Sequence, residues 1–109
     1  LSGTRPLFTA WLARFRKPMP RVLEFGKYII FFWIGEDGEP VHVHVSVKRP
    51  MDNSTKIWLT RNGGCLLAHN KGQIPPKDLR DIMDVVTFNH KLICDEWCKR
   101  FQGDISFYE

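Results

Sequence analysis

No stretch of this sequence approaches the roughly 18 consecutive apolar residues that a membrane-spanning helix requires. The one apolar run near the start, Leu7–Ala13, is short and has basic residues after it as well as before it, unlike a secretory signal. Cysteine is scarce: Cys65, Cys94 and Cys98 are an odd set without framework spacing. That argues against a disulfide-stapled secreted scaffold and for a reduced compartment, so the expected location is cytoplasmic, with no membrane partner. Acidic residues are missing from the first 23 positions, where Arg5, Arg14, Arg16, Lys17 and Arg21 fall. The other 11 basic residues face 12 acidic ones, so the formal charge of +4 belongs to an N-terminal arm and the remainder is nearly neutral. That argues against a body-wide nucleic-acid groove and leaves open a basic arm that meets RNA, DNA or an acidic protein. There is no internal repeat, phosphate-binding glycine loop, nucleophile elbow, dinucleotide fingerprint or carboxylate pair. No cofactor is expected.

What is present fits one domain of 109 residues with 14 aromatic side chains, enough for one real core. Phe8, Trp11, Leu12 and Phe15 follow helical spacing, which predicts a short amphipathic N-terminal helix over residues 7–16. Pro18 and Pro20 then break it. The expected organisation is a basic N-terminal extension, residues 1–18, followed by a single α+β domain, residues 19–109. Arg21–Phe25 reads as a short strand. Lys27–Ile34 reads as a central strand, apolar on both faces. Gly35–Pro40 is a turn with its reversal at Asp37-Gly38.

The next stretch, Val41-His42-Val43-His44-Val45-Ser46-Val47, alternates strictly. The four valines share one face of a strand and His42, His44 and Ser46 the other, with the two rings about 7 Å apart by strand rise. Thr55–Thr60 and Cys65–His69 are further strands, joined by the hairpin turn Arg61-Asn62-Gly63-Gly64. Hairpin after hairpin predicts an antiparallel sheet of four to five strands. From about Pro76 to Phe101 the apolar stripe Leu79, Ile82, Met83, Val86, Ile93, Trp97, Phe101 predicts one long C-terminal helix, packed on one face of the sheet and ended at Gly103.

His42 and His44 are the residues most suited to chemistry. An H-x-H pair on one strand offers two nitrogen ligands, but nothing in the spacing brings a third ligand close, although His69, Cys65, His90 and Cys94 qualify by type; no metal is therefore expected. The pair also suits acid and base roles in cleaving an RNA phosphodiester. Rings packed under a covering element explain it equally. His90, Cys94 and Cys98 lie four apart on the helix, which by itself cannot close a tetrahedral site; a core histidine beside two thiols accounts for them. Trp58 shares a strand face with Lys56 and Thr60, and with Arg14, Arg16, Lys17 and Arg21 these form the candidate set for contact with a partner or nucleic acid.

Met19-Pro20-Arg21-Val22, Phe25-Gly26, Phe31-Phe32, Glu39-Pro40-Val41-His42-Val43-His44-Val45, Lys56-Ile57-Trp58-Leu59 and the stretch from Leu79 to Trp97 and Phe101 occur in an order that resembles the bacterial domain of unknown function 4160. Val41 stands where that family often has proline, and the loop Lys48–Ser54 is longer. The resemblance covers residues 19–101. It implies a protein of a two-gene, toxin–antitoxin-type system, paired with a small helix-turn-helix-like protein. The leading expectation is a binding module acting through that partner, with RNA or DNA reached by the basic arm and with homodimerisation compatible. The alternatives are a small metal-independent ribonuclease using His42 and His44, and an inhibitor of a host or phage defence complex.

Overall fold

The structure, a computed structural model, describes residues 21–36 and 38–109. Five strands form one sheet: β1 (Leu23–Phe25), β2 (Tyr28–Phe31), β3 (His42–Val47), β4 (Thr55–Leu59) and β5 (Cys65–His69). Their order in the sheet is their order in the chain, and every neighbouring pair is antiparallel. Short connections explain this order, because a hairpin joins adjacent antiparallel strands with least chain. Gly26, at φ +57°, permits the tight reversal between Phe25 and Tyr28, which face each other across it.

The alternation in β3 works as expected. Val41, Val43 and Val45 are fully buried and join Tyr28, Ile30, Phe32, Ile57 and Leu59 in the larger core; Val47 packs at its margin. Each such side chain contributes about 1.5–3 kcal/mol by leaving water. β2 is covered on both faces. Its other set, Ile29 and Phe31 with Trp33 just beyond, makes a second cluster on the histidine side of the sheet.

One long C-terminal helix does not form. The segment is two helices, α1 (Pro76–Phe88) and α2 (His90–Phe101), separated at Asn89 with φ −102° and ψ 21°. The Asn89 side-chain amide donates to Val85 C=O at 2.9 Å, the same carbonyl its own backbone N–H reaches at 3.0 Å. A side chain that competes for a helical carbonyl favours a bend there. Ile93 N–H still donates to Asn89 C=O, so the apolar stripe keeps its phase across the break. Ile82, Val86, Ile93 and Trp97 are accordingly all buried against the sheet. The left-handed residue ending α2 is Gln102 rather than Gly103. The predicted N-terminal helix lies outside the described residues, as do the extension 1–18 and the start of the domain at 19–20. Among the described residues no helix is long and apolar enough to cross a membrane.

The segment after α2 returns across the end of the sheet. Val41 N–H donates to Ser106 C=O and Arg61 N–H to Glu109 C=O. Phe107 stacks over the His90 ring and Tyr108 lies flat on Trp58, with centroids 4.9 Å apart and planes at 4°.

Candidate functional site

His42 and His44 project from β3 on the side opposite the valines, as the alternation requires, and both are buried, 1% and 5% exposed. What they meet is Glu36, itself 6% exposed. It comes from the connection between β2 and β3, where the backbone reverses with Glu39 N–H donating to Glu36 C=O at 3.1 Å. Because Phe31 pairs with His44, the residues between them fold back beside the two rings. One carboxylate oxygen, Glu36 Oε1, accepts from His42 Nε2 at 2.8 Å and from His44 Nε2 at 2.8 Å.

The other ring nitrogens are held as well. His42 Nδ1 donates to Pro40 C=O at 2.8 Å, and His44 Nδ1 lies 3.1 Å from Ser54 Oγ. Aromatic neighbours enclose the rings: Trp58 and Trp97 stand edge-on to His42, while Phe31 and Trp33 flank His44. The rings are fixed in orientation and surroundings.

A backbone carbonyl only accepts, so His42 carries a hydrogen at Nδ1, and one proton lies between its Nε2 and Glu36 Oε1. Ser54 donates or accepts, so His44 is satisfied as a neutral ring that gives its Nε2 hydrogen to Glu36 and accepts at Nδ1. Burial pushes the Glu36 carboxyl upward, but hydrogen bonds from both rings, and their charge, outweigh it and hold the group well below the usual carboxylate range. Burial pushes His44 down, and the bond to Glu36 only partly offsets it; the nearby charges of His42 and Lys56 push the same way as burial.

Of the remaining candidates only Trp58 and Lys56, the cross-strand neighbours of His42 and His44, lie at this site. Arg14, Arg16 and Lys17 lie outside the described residues. Arg21 is exposed and paired with Glu24 at 2.8 Å. It precedes β1, three strand spacings from β4, about 14 Å at the usual sheet spacing. Lys56 donates to Glu39 at 2.6 Å, and its ammonium lies 4.3 Å from the centre of the Trp58 ring. Trp58 is thus held between Lys56, Tyr108 and His42, with one face stacked on Tyr108. On the helix side, His90 Nε2 donates to Thr60 C=O at 2.6 Å, and Cys94 Sγ is 3.8 Å from its Nδ1, while Cys98 is exposed. His90 is a satisfied core histidine.

Glu36 and Ser54 are the members that sequence reasoning missed. Both sit in connections, Glu36 six and eight residues from the two histidines it serves and Ser54 ten from His44, and strand periodicity says nothing about how a loop folds back. The available signal was the hairpin itself: pairing β2 with β3 forces the acidic turn at Glu36 to lie close to His42 and His44. Among the described residues these three are the group of potential metal ligands, with their donor atoms all within 4.8 Å of one another.

No curated protein matches the chain, and neither does any solved structure. A family model does: Domain of unknown function (DUF4160) matches residues 28–98, about two-thirds of the chain and a span that contains Glu36, His42, His44, Ser54, α1 and most of α2, and the protein belongs to that family.

Proposed function

We propose that the protein is a binding module, one component of a toxin–antitoxin-type pair, and that it engages a small helix-turn-helix-like protein along the outer edge of β5. The observation that carries this reading is the character of that edge. Among the described residues no strand pairs with β5 on the side away from β4. Its sequence, Cys-Leu-Leu-Ala-His, holds no lysine, glutamate or proline, the residues that ordinarily blunt a free edge. Leu66 and Leu67 are 38% and 40% exposed on its two faces. Cys65 Sγ lies 3.4 Å from Thr87 Oγ1, so the edge runs beside the end of α1, where Phe88 is 89% exposed and Leu92, one turn on, is also exposed. An unpaired edge with apolar side chains above and below is suited to accept an extended segment of another chain by backbone hydrogen bonds.

The ribonuclease reading lacks comparable support. His42 and His44 are enclosed, 1% and 5% exposed, and all four of their ring nitrogens have protein partners, whereas an acid–base pair has to reach an incoming phosphodiester. The arm 1–18 supplies a second, electrostatic contact to the partner or to RNA or DNA in the same complex.

Co-expression with the product of the neighbouring gene, expected to be a small helix-turn-helix-like protein, tests the proposal. A stable complex on size-exclusion chromatography, weakened about tenfold or more by Leu67→Lys, is the expected result. No complex with the folded wild-type protein, or a complex indifferent to Leu66→Lys and Leu67→Lys, overturns it. A homodimer broken by the same substitutions reassigns the edge to self-association.

A further inference from the structure

The requirement for positive charge between His42 and Glu36 has a second solution. Pro40 C=O fixes a hydrogen on His42 Nδ1, so without an added proton Nε2 would aim its lone pair at Glu36 Oε1 across 2.8 Å. Something cationic has to stand there. A proton is one candidate and a metal ion is the other.

We propose that Glu36, His42 and His44 form a binding site for a divalent transition metal of intermediate softness, Zn²⁺ or Fe²⁺. Three independent features support it. The donor set, two imidazoles and one carboxylate, is the one that zinc hydrolase sites and non-haem iron sites use, with a remaining position left for water. Both rings present the same nitrogen, Nε2, to a single point. Finally, each Nδ1 has a protein partner: for His42 a backbone carbonyl, a usual orienting partner of metal-bound histidines, and for His44 the Ser54 hydroxyl, which can accept its hydrogen. A histidine pair retained merely as packing needs none of this coincidence.

The required movement is small. A tetrahedral ion with bonds of about 2.0–2.1 Å spaces its ligand atoms by about 3.4 Å. Glu36 Oε1 stands 2.8 Å from each Nε2, so it has to withdraw from each ring by about half an ångström, and the three donor atoms already lie within 4.8 Å of one another. On binding, His42 loses its Nε2 proton to solvent. His44 moves its hydrogen from Nε2 to Nδ1, where Ser54 Oγ accepts it. Both rings become neutral ligands, and no redox change or further reactant is involved.

The test uses the full chain, stripped with chelator and titrated with Zn²⁺ and, as a spectroscopic probe, Co²⁺. One equivalent should bind, with visible Co²⁺ absorption of a four- or five-coordinate site, and the melting temperature should rise with metal concentration. Ser54→Ala should weaken binding about tenfold or more, as loss of an orienting partner does. His44→Asn should weaken it further. In the wild-type protein, ¹⁵N shifts of the two Nε2 atoms should move from protonated to metal-bound values on addition of Zn²⁺. This last measurement decides the matter even if the variants fold poorly. Nε2 of His42 still protonated at saturating Zn²⁺ overturns the proposal. So does binding that survives His42→Asn with His44→Asn, which would place the metal on the cysteines instead.

Discussion

Glu36 and His42 are coupled across 2.8 Å with almost no solvent at either side chain, 7% and 1% exposed. Removing one member of such a pair leaves the other buried without its countercharge, which costs about 3–5 kcal/mol, whereas removing both leaves no orphan charge. In chelator-treated protein, Glu36→Gln and His42→Asn should each therefore destabilise by about 3 kcal/mol or more. The double variant should fall well short of the sum, with a coupling energy of about 2 kcal/mol. Urea denaturation reads this directly, since 3 kcal/mol moves the midpoint by about 1–3 M for a slope of 1–3 kcal/mol per M. His90 supplies the control: it lies behind the sheet, bonded to Thr60 C=O, so Glu36→Gln and His90→Asn should simply add. Additivity of Glu36→Gln and His42→Asn to within about 0.5 kcal/mol would refute the reasoning, for it would mean that the carboxylate and the ring do not share a charge.

Three further outcomes follow from the same structure. Chelator-treated protein should lose stability on the acid side in two stages, measured by urea midpoints across pH. His44 has its pKa lowered from 6.5 by burial, so its contribution is complete above about 6.5 and declines as pH falls; Glu36 is depressed from 4.5, so its contribution declines only below that value, and each group adds a slope of up to about 1.4 kcal/mol per pH unit. Glu36→Gln should remove the lower stage and leave the upper. Alkylation followed by mass spectrometry at pH 8 should modify exposed Cys98 well before Cys94, which is partly buried and whose thiol is pushed up to about 11 mainly by burial; equal rates would contradict the placement of α2. Gly72→Ala should cost about 1–3 kcal/mol, because its Cβ would stand 2.7 Å from Thr55 Oγ1 and 3.2 Å from Thr55 N; Thr55→Ala in the same chain should recover part of the loss.

Most of the sheet was readable because its determinants are local. Alternation placed the valines of β3 in one layer and the histidines in another. Turn residues marked the hairpins, and the doubly apolar β2 announced a strand covered on both sides. The helical stripe was equally readable, but it concealed the bend. Val86 and Ile93 are seven residues apart, two helical turns, and a kink that preserves the Asn89–Ile93 hydrogen bond leaves that spacing unchanged. Only the side chain of Asn89 distinguishes two helices from one, and a single polar residue inside a periodic segment does not reveal which carbonyl it will take.

The site was half readable for a different reason. A strand displays its own ligands at fixed intervals, so His42 and His44 were evident as a pair. Their partners arrive by loop, where chain separation carries no geometry. The consequence concerns β3 itself. Its valine face is held by area, which tolerates substitution by apolar side chains of similar volume. Its histidine face is held by directed bonds to one carboxylate, one carbonyl and one hydroxyl, none of which an apolar residue replaces. A packing role alone would be met more simply by valine on both faces, as β2 nearly achieves with Ile29, Ile30 and Phe31. Two histidines and a glutamate buried together are costly unless a cation completes them. The chemistry of that cation, rather than the hydrophobic core beside it, is what the H-x-H strand is built to select.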